Sequence, residues 1–508
     1  MARNEPQFDS FDPHKWRLYR VIALIALLSL LGASWRLWIP VSDFPAVPLL
    51  PKIASWITPA ASDDSSFADI GALPNGPNFS VPLFVYRCVV CCALVVMCVG
   101  AVAAGLGGFS QRLHRWSWCY AAGFLILVSC NTHCLQPWAY HWLALSGLFL
   151  LASPDDLASQ RRAKYWARNL TIGVYFWSAL SKFDAQYNFT VGAEMLQQIL
   201  KWLSNLTHNQ GVDTATTSQI LIDSQSLSVS PRWQQLGYWP LLFPCGELGI
   251  AALLCIRRTA HWGAWGALFM HLLLFFVLGP WGLGHKPGVL LWNAFFAIQG
   301  PLLFGGRPAR LSSMEITFPA PPTSSPTDSS TRSPKRKPVI ANLAIFVVMA
   351  MLFLPSIERW GWWDHWPAWG LYAPHSSRAS LLIPADQLQR LPESLQRQFP
   401  RSPPEDSTTW LRVPMERWSL ETLGVPIYPQ ARFQLGVAQA VAQRLDDPED
   451  ARLELFSVAR RQDGERQKQT CYGLNAMSAA ESQFWLGSRP VVITMPHALA
   501  QEDQHNPQ

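Results

Sequence analysis

The stretch "VYFWSALSKFDAQYNF", Val174 to Phe189, is an apolar, aromatic run that stops on Lys182, with Asp184 two residues later. The residues before Lys182 have the composition of a membrane span. A lysine and an aspartate therefore stand where hydrocarbon gives way to water, a position that invites either a snorkelling anchor or a site.

The rest of the chain supports a membrane setting. Of 508 residues, 49% are hydrophobic and only 15% are charged, against roughly 25% charged in soluble domains. The 25 tryptophans fit a chain with long membrane–water boundaries. The net charge of +6 comes mainly from basic clusters in short loops, and no nucleic-acid-binding motif is present. Most of the ten cysteines lie in apolar runs and do not form a disulfide framework. The polar N-terminus followed by an apolar run reads as a signal anchor.

About nine segments approach the roughly 20 apolar residues that a span requires. They lie near Val21–Ile39, Leu83–Leu106, Trp118–Cys130, Tyr140–Ala152, Leu170–Leu180, Tyr238–Ile256, Trp262–Leu278, Val289–Phe304 and Val339–Leu354. Every second loop is basic: Arg112 and Arg115; Arg161, Arg162, Lys164 and Arg168; Arg257 and Arg258; Arg307, Arg310, Lys335, Arg336 and Lys337. The positive-inside rule puts these loops and the N-terminus in the cytoplasm and the C-terminal region outside.

The expected fold is an all-α polytopic membrane bundle with a small extracytoplasmic α+β domain. Residues 1–305 form the membrane domain and 306–338 a Pro/Ser/Thr-rich cytoplasmic linker. Residues 339–375 hold the last span and the Trp-rich run "ERWGWWDHWPAWGLY", read as an interfacial anchor. Residues 376–508 form the appendage, in which "ARFQLGVAQAVAQRL" suits a helix and a turn at Asp463-Gly464 separates two strands. From Glu194, apolar residues at helical spacing predict an amphipathic helix on the outer interface.

Ionisable residues inside the spans cluster towards the outer half: Arg36, Arg87, His141, Lys182, Glu247 and His271. Each has an ordinary structural explanation: snorkelling for the cations, pairing for Glu247, an interhelical hydrogen bond for His271. Together they predict a polar vestibule with acid–base chemistry. A desolvated Lys182 would be the base, Glu247 and His271 proton relays, and Arg36 and Arg87 anion ligands. His141 and His271 are expected to share one cavity with Lys182 and Glu247. No metal site is expected, since Cys130, His133 and Cys134 lack a fourth ligand.

The segment "YFWSALSKFDAQY" resembles the vitamin K-dependent γ-carboxylase family, which carries a similar "AG-x-K-K-L-D-A-D-W" stretch at the end of a span. Lys182 matches the second lysine of that stretch, Phe183 the leucine, Asp184 the aspartate, Ala185 the alanine and Tyr187 the tryptophan. "YHWLALSGLFLL" resembles the family's histidine-bearing span and matches His141; the stretch around "LFMHLLLFF" matches His271. The bacterial branch is the horizontally transferred transmembrane (HTTM) domain family. Ser181 and Gln186 depart from the pattern, replacing a lysine and an acidic residue.

The resemblance implies a lysine that deprotonates a reduced naphthoquinone of the vitamin K type, with Arg36, Arg87 and Asp184 as cofactor-binding residues. Implied partners are membrane lipid, a lipid-soluble small molecule and a secreted protein at the outer domain, in a plasma or inner membrane. Two other classes stay open: a non-catalytic DoxX-like scaffold or accessory protein, and a transporter, which the absence of internal repeats disfavours.

Overall fold

A computed structural model describes residues 11–40, 42–50, 80–207, 237–305, 338–400, 409–490 and 492–494. The expected linker at 306–338 lies outside the described residues except for its last position.

Ten helices build the membrane part: α1 (Pro13–Ala33), α2 (Leu83–Leu106), α3 (Trp118–Cys130), α4 (Pro137–Leu151), α5 (Leu157–Ser181), α6 (Val191–Thr207), α7 (Leu242–Cys255), α8 (Ala260–Leu278), α9 (Pro287–Phe304) and α10 (Pro338–Phe353). Among the described residues, five apolar stretches are long enough to cross a bilayer: α1, Phe84–Leu106 in α2, α8, α9, and Asn342–Trp360, which joins α10 to the turn after it. This marks a multi-pass membrane protein. Each of the nine apolar runs coincides with a helix, but four of them fall outside that set. The helices α3, α4 and α7 have 13, 15 and 14 residues, and the 25-residue α5 is polar over its first half.

Local chemistry sets the helix ends. Asp12 caps α1 by accepting from the N–H groups of His14 and Lys15, with Pro13 at the first helical position. Asp156 caps α5 through the Ala158 N–H. The first helix starts earlier than its apolar run and breaks at Ser34, so Arg36 sits on a short following turn, Trp35–Trp38, rather than in the span. Arg20, a flanking residue by hydropathy, is instead buried. Its guanidinium donates to the carbonyls of Ala104 and Ala152, tying α1 to the ends of α2 and α4. Helices α2 and α3 approach backbone to backbone: a Cβ on Gly123 would lie 2.4 Å from Ala93 O. Small residues permit such contacts between helices in lipid.

The amphipathic α6 packs Met195 against Val277 and Leu278 at the end of α8. The short strand β1 (Ser80–Pro82) pairs in parallel with Val492–Thr494, and the C-terminal part is an antiparallel sheet of β2 (Arg378–Pro384), β3 (Trp410–Arg412), β4 (Arg452–Phe456) and β5 (Lys468–Tyr472), in the order β3-β2-β4-β5. β4 and β5 pair with Arg452 opposite Tyr472, and Gly464 in their connection has φ +75°, a left-handed conformation that suits glycine. The helix Ala431–Ala442 is buried along most of its length and packs on this sheet.

This domain rests directly on the membrane helices. The Arg466 guanidinium donates to the carbonyls of Pro374, Ser376 and Ser457 and to Gln186 Oε1. Ala185 N–H donates to Arg461 O, and Lys286 pairs with Glu421 at 3.1 Å. The β4–β5 connection thus covers the chain just after Lys182.

Candidate functional site

Lys182 ends α5, its own N–H bonding back to Ala179 O. Its side chain turns inward and is buried. Nζ donates to Glu247 Oε1 at 2.6 Å and Oε2 at 2.8 Å, and to Ser178 Oγ at 2.9 Å. Glu247 reaches it from α7, which packs along α5. Both charges are compensated in place, which a membrane interior requires.

A second polar chain shares the same cavity. The Tyr175 hydroxyl lies 2.8 Å from His271 Nε2, and His271 Nδ1 lies 2.9 Å from Asn293 Oδ1. Asn293 Nδ2 donates to Val289 O, which fixes the amide with its oxygen towards the histidine. The hydrogen bonds then assign the tautomer: Nδ1 carries the proton, and Nε2 accepts from the tyrosine O–H. Lys182, Glu247, Tyr175, His271, Asn293 and Tyr372 line one cavity of about 40 Å³. At roughly 10–15 Å³ per water by this kind of measure, the space suits a few waters.

His141 does not join them. It is buried between Phe295, Phe296 and Trp369, with ring centroids 5.4–6.1 Å away. Phe296 also packs against His271, at 5.4 Å, and so stands between the two histidines. His141 Nε2 has no hydrogen-bond partner among the described residues. The single four-residue cavity expected from the sequence is therefore a cavity of three, because the ring on α9 intervenes.

Arg36 and Arg87 are placed elsewhere again. They line a separate cleft of about 470 Å³ with Asp43 and Arg444, between the first two long helices and the C-terminal domain. Asp184 is also outside the Lys182 cavity. Its Oδ1 accepts from Tyr187 N–H at 2.6 Å, capping the short helix Ala185–Phe189. Its Oδ2 is 2.9 Å from Arg359 Nη2 and 3.0 Å from His375 Nδ1.

That last contact opens onto a cluster that sequence reasoning missed. Glu358 stands between His365 and His375, and all three are buried. With protons alone between these groups, burial acts to raise the Asp184 carboxyl, but His375, the Tyr187 N–H and Arg359 outweigh it and hold it below the ordinary range. Burial likewise disfavours a charged His375, yet its two carboxylate neighbours raise its pKa overall.

His133 does not pair with Cys130 and Cys134. Its Nε2 is 2.9 Å from Pro426 O, its ring sits against Phe44 and Phe433, and burial lowers its pKa to about 4. Cys88 and Cys91 are exposed on the outside of α2.

No family model, curated protein or solved structure matches the chain.

Proposed function

We propose that the chain is a nine-span membrane protein of the HTTM, γ-carboxylase-like type, with an acid–base site that takes a reduced naphthoquinone or another lipid-soluble substrate. The N-terminus is cytoplasmic and the C-terminal domain lies outside a plasma or inner membrane, where it meets a secreted partner. The observation that carries the reading is Lys182 Nζ, held by Glu247 and Ser178 in a cavity that also contains the Tyr175–His271–Asn293 chain.

In this reading the Lys182 ammonium first passes a proton to Glu247, in direct hydrogen bond, and the neutral amine then takes one from a quinol hydroxyl, giving quinolate and ammonium. Glu247, now protonated, passes its proton on. Tyr175 and His271 orient the second hydroxyl. Entry of a ring requires the cavity to widen, and α6, packed over the ends of α8 and α9, is the element positioned to move. The short helices α3, α4 and α7 and the apolar half of α5 cross as tilted or protein-sheltered spans, which membrane bundles tolerate.

Retention of naphthoquinol by tag-free protein in nanodiscs tests the site. Wild type is expected to bind, and Lys182→Ala to lose proton transfer to the bound quinol. Wild type that binds no quinol defeats the proposal. Labelling Ser482→Cys with an impermeant maleimide tests the orientation: modification from the cytoplasmic side only would reverse it.

The scaffold reading is favoured by one observation, the small volume of the cavity around an already compensated Lys182–Glu247 pair. There the pair joins α5 to α7 and has no substrate. An unchanged cellular phenotype in folded Lys182→Met/Glu247→Met protein would select it.

A further inference from the structure

The end of the last span and the loop that follows it fold around three side chains whose arrangement has no role in the Lys182 chemistry. Glu358 Oε1 lies 2.9 Å from His365 Nδ1. Glu358 Oε1 and Oε2 each lie 3.2 Å from His375 Nε2. The two imidazoles meet edge to face with centroids 4.7 Å apart. One ligand-type atom from each residue falls within 4.8 Å of the other two.

The outward-facing nitrogens are equally specific. His365 Nε2 is 2.8 Å from Ala373 O, and His375 Nδ1 is 3.0 Å from Asp184 Oδ2. Each ring therefore presents one nitrogen to Glu358 and the other to a backbone carbonyl or a carboxylate. His365 has the arrangement of metal-bound histidines, whose second N–H donates to an outer carboxylate or carbonyl that fixes the tautomer, while His375 Nδ1 lies close to Asp184 Oδ2 without an aligned hydrogen bond.

The loop is shaped to hold it. Gly370 lies flat on the His365 ring, where a Cβ would come within 2.4 Å of Cε1. Trp369 and Tyr372, on either side, both adopt positive φ, 61° and 60°, a conformation that is costly for aromatic residues.

The geometry points to a divalent transition-metal site formed by Glu358, His365 and His375, with Asp184 and the Ala373 carbonyl as its outer supports. Metal–ligand bonds of about 2.0–2.1 Å in tetrahedral geometry separate neighbouring ligand atoms by roughly 3.3 Å. The two distances from the Glu358 carboxylate, 2.9 and 3.2 Å, lie within a few tenths of an ångström of that value, and the third separation lies within 4.8 Å. Two imidazoles and one carboxylate select zinc or a similar ion over the oxygen-seeking calcium and magnesium. Both rings turn a nitrogen towards the same Glu358 carboxylate, and a divalent ion seated between them would turn both rings into ligands. Three protein ligands leave one coordination position open. The site is independent of the proposed quinol chemistry, and it would fasten the end of the last span to the loop carrying Asp184.

The test is metal content and spectroscopy on tag-free, full-length protein in detergent. One zinc per chain is expected after stripping with a chelator and reloading with Zn²⁺ alone. Co²⁺ loading should give visible d–d bands without a thiolate charge-transfer band. His365→Ala and His375→Ala should lose the ion. Asp184→Asn, which touches no ion, should weaken Zn²⁺ affinity roughly 10- to 100-fold while leaving stoichiometry at saturation unchanged; it decides the matter if the histidine variants do not fold. Failure of wild type to take up stoichiometric Zn²⁺, a thiolate band, or unaltered Zn²⁺ affinity in folded variants would overturn the site.

Discussion

Lys182 Nζ and Glu247 Oε1, on helices separated by 65 residues in sequence, meet at 2.6 Å in a site where the lysine side chain is 3% exposed and the glutamate 11%. Removing one partner strands the other. Lys182→Met and Glu247→Leu are each expected to cost about 3–5 kcal/mol, and the double variant much less than their sum. Thermal unfolding in detergent checks this as a double-mutant cycle, and additive losses would mean that the pair does not couple.

Tyr175→Phe leaves His271 Nε2 without its donor. A buried acceptor in that state costs about 1–3 kcal/mol. Asn293→Leu should cost at least as much, because it unpairs His271 Nδ1 and frees Val289 O together. Unfolding midpoints of the two variants, measured side by side, give the order.

Stability should fall in mild acid through His133. Its pKa is about 4 in the folded protein against an ordinary 6.5, because the ring is buried. Between those values the unfolded chain binds the extra proton and the folded chain does not. The contribution is therefore complete above pH 6.5 and is lost as pH falls towards 4. A pH series of unfolding midpoints should show this slope, and His133→Phe should reduce it.

Arg466→Ala withdraws a guanidinium that holds three carbonyls and Gln186. Charge-assisted hydrogen bonds contribute about 1.5–3 kcal/mol apiece in favourable cases, though the several made by one arginine do not add. Hydrogen exchange should quicken at residues 183–190 and in the β4–β5 connection, with α2 and α3 unchanged.

Gly370→Ala should destabilise by about 1–3 kcal/mol, the usual range for overpacking, since the new methyl collides with the His365 ring. Tm measurements with and without added Zn²⁺ read it. The variant should also lose most of any Zn²⁺-dependent rise in Tm.

Much of the architecture was legible because the solvent writes it into the chain. Hydrocarbon demands long apolar runs, and all nine runs became helices. Charge in such runs demands compensation, so Glu247 was expected to have a cationic partner. Which cation was not legible, because spacing along the chain says nothing about which helices become neighbours. His141 looked like a companion of His271 until Phe296 was seen between them. Arg36 and Arg87 shared a cleft, but not the one around Lys182. The Glu358, His365 and His375 cluster was hidden for another reason. Its members are spaced irregularly through an aperiodic loop, in a run whose tryptophans were explained by the interface. The available signal was two histidines and a glutamate close to the mouth of a span.

Gln186 and Leu180 wait long for their partners. Arg466 and Arg461 lie 280 and 281 residues further along the chain. At about 5–20 residues per second, synthesis of that interval takes on the order of tens of seconds. Throughout it the Lys182 loop has been made but has no roof. The helices on either side of Lys182 are made well before the segment that closes over them. A chain stalled or cut short before Arg461 would carry the buried lysine and its glutamate in full, yet present them beneath an open loop. Completion of the C-terminal domain therefore marks when this molecule first seals its interior.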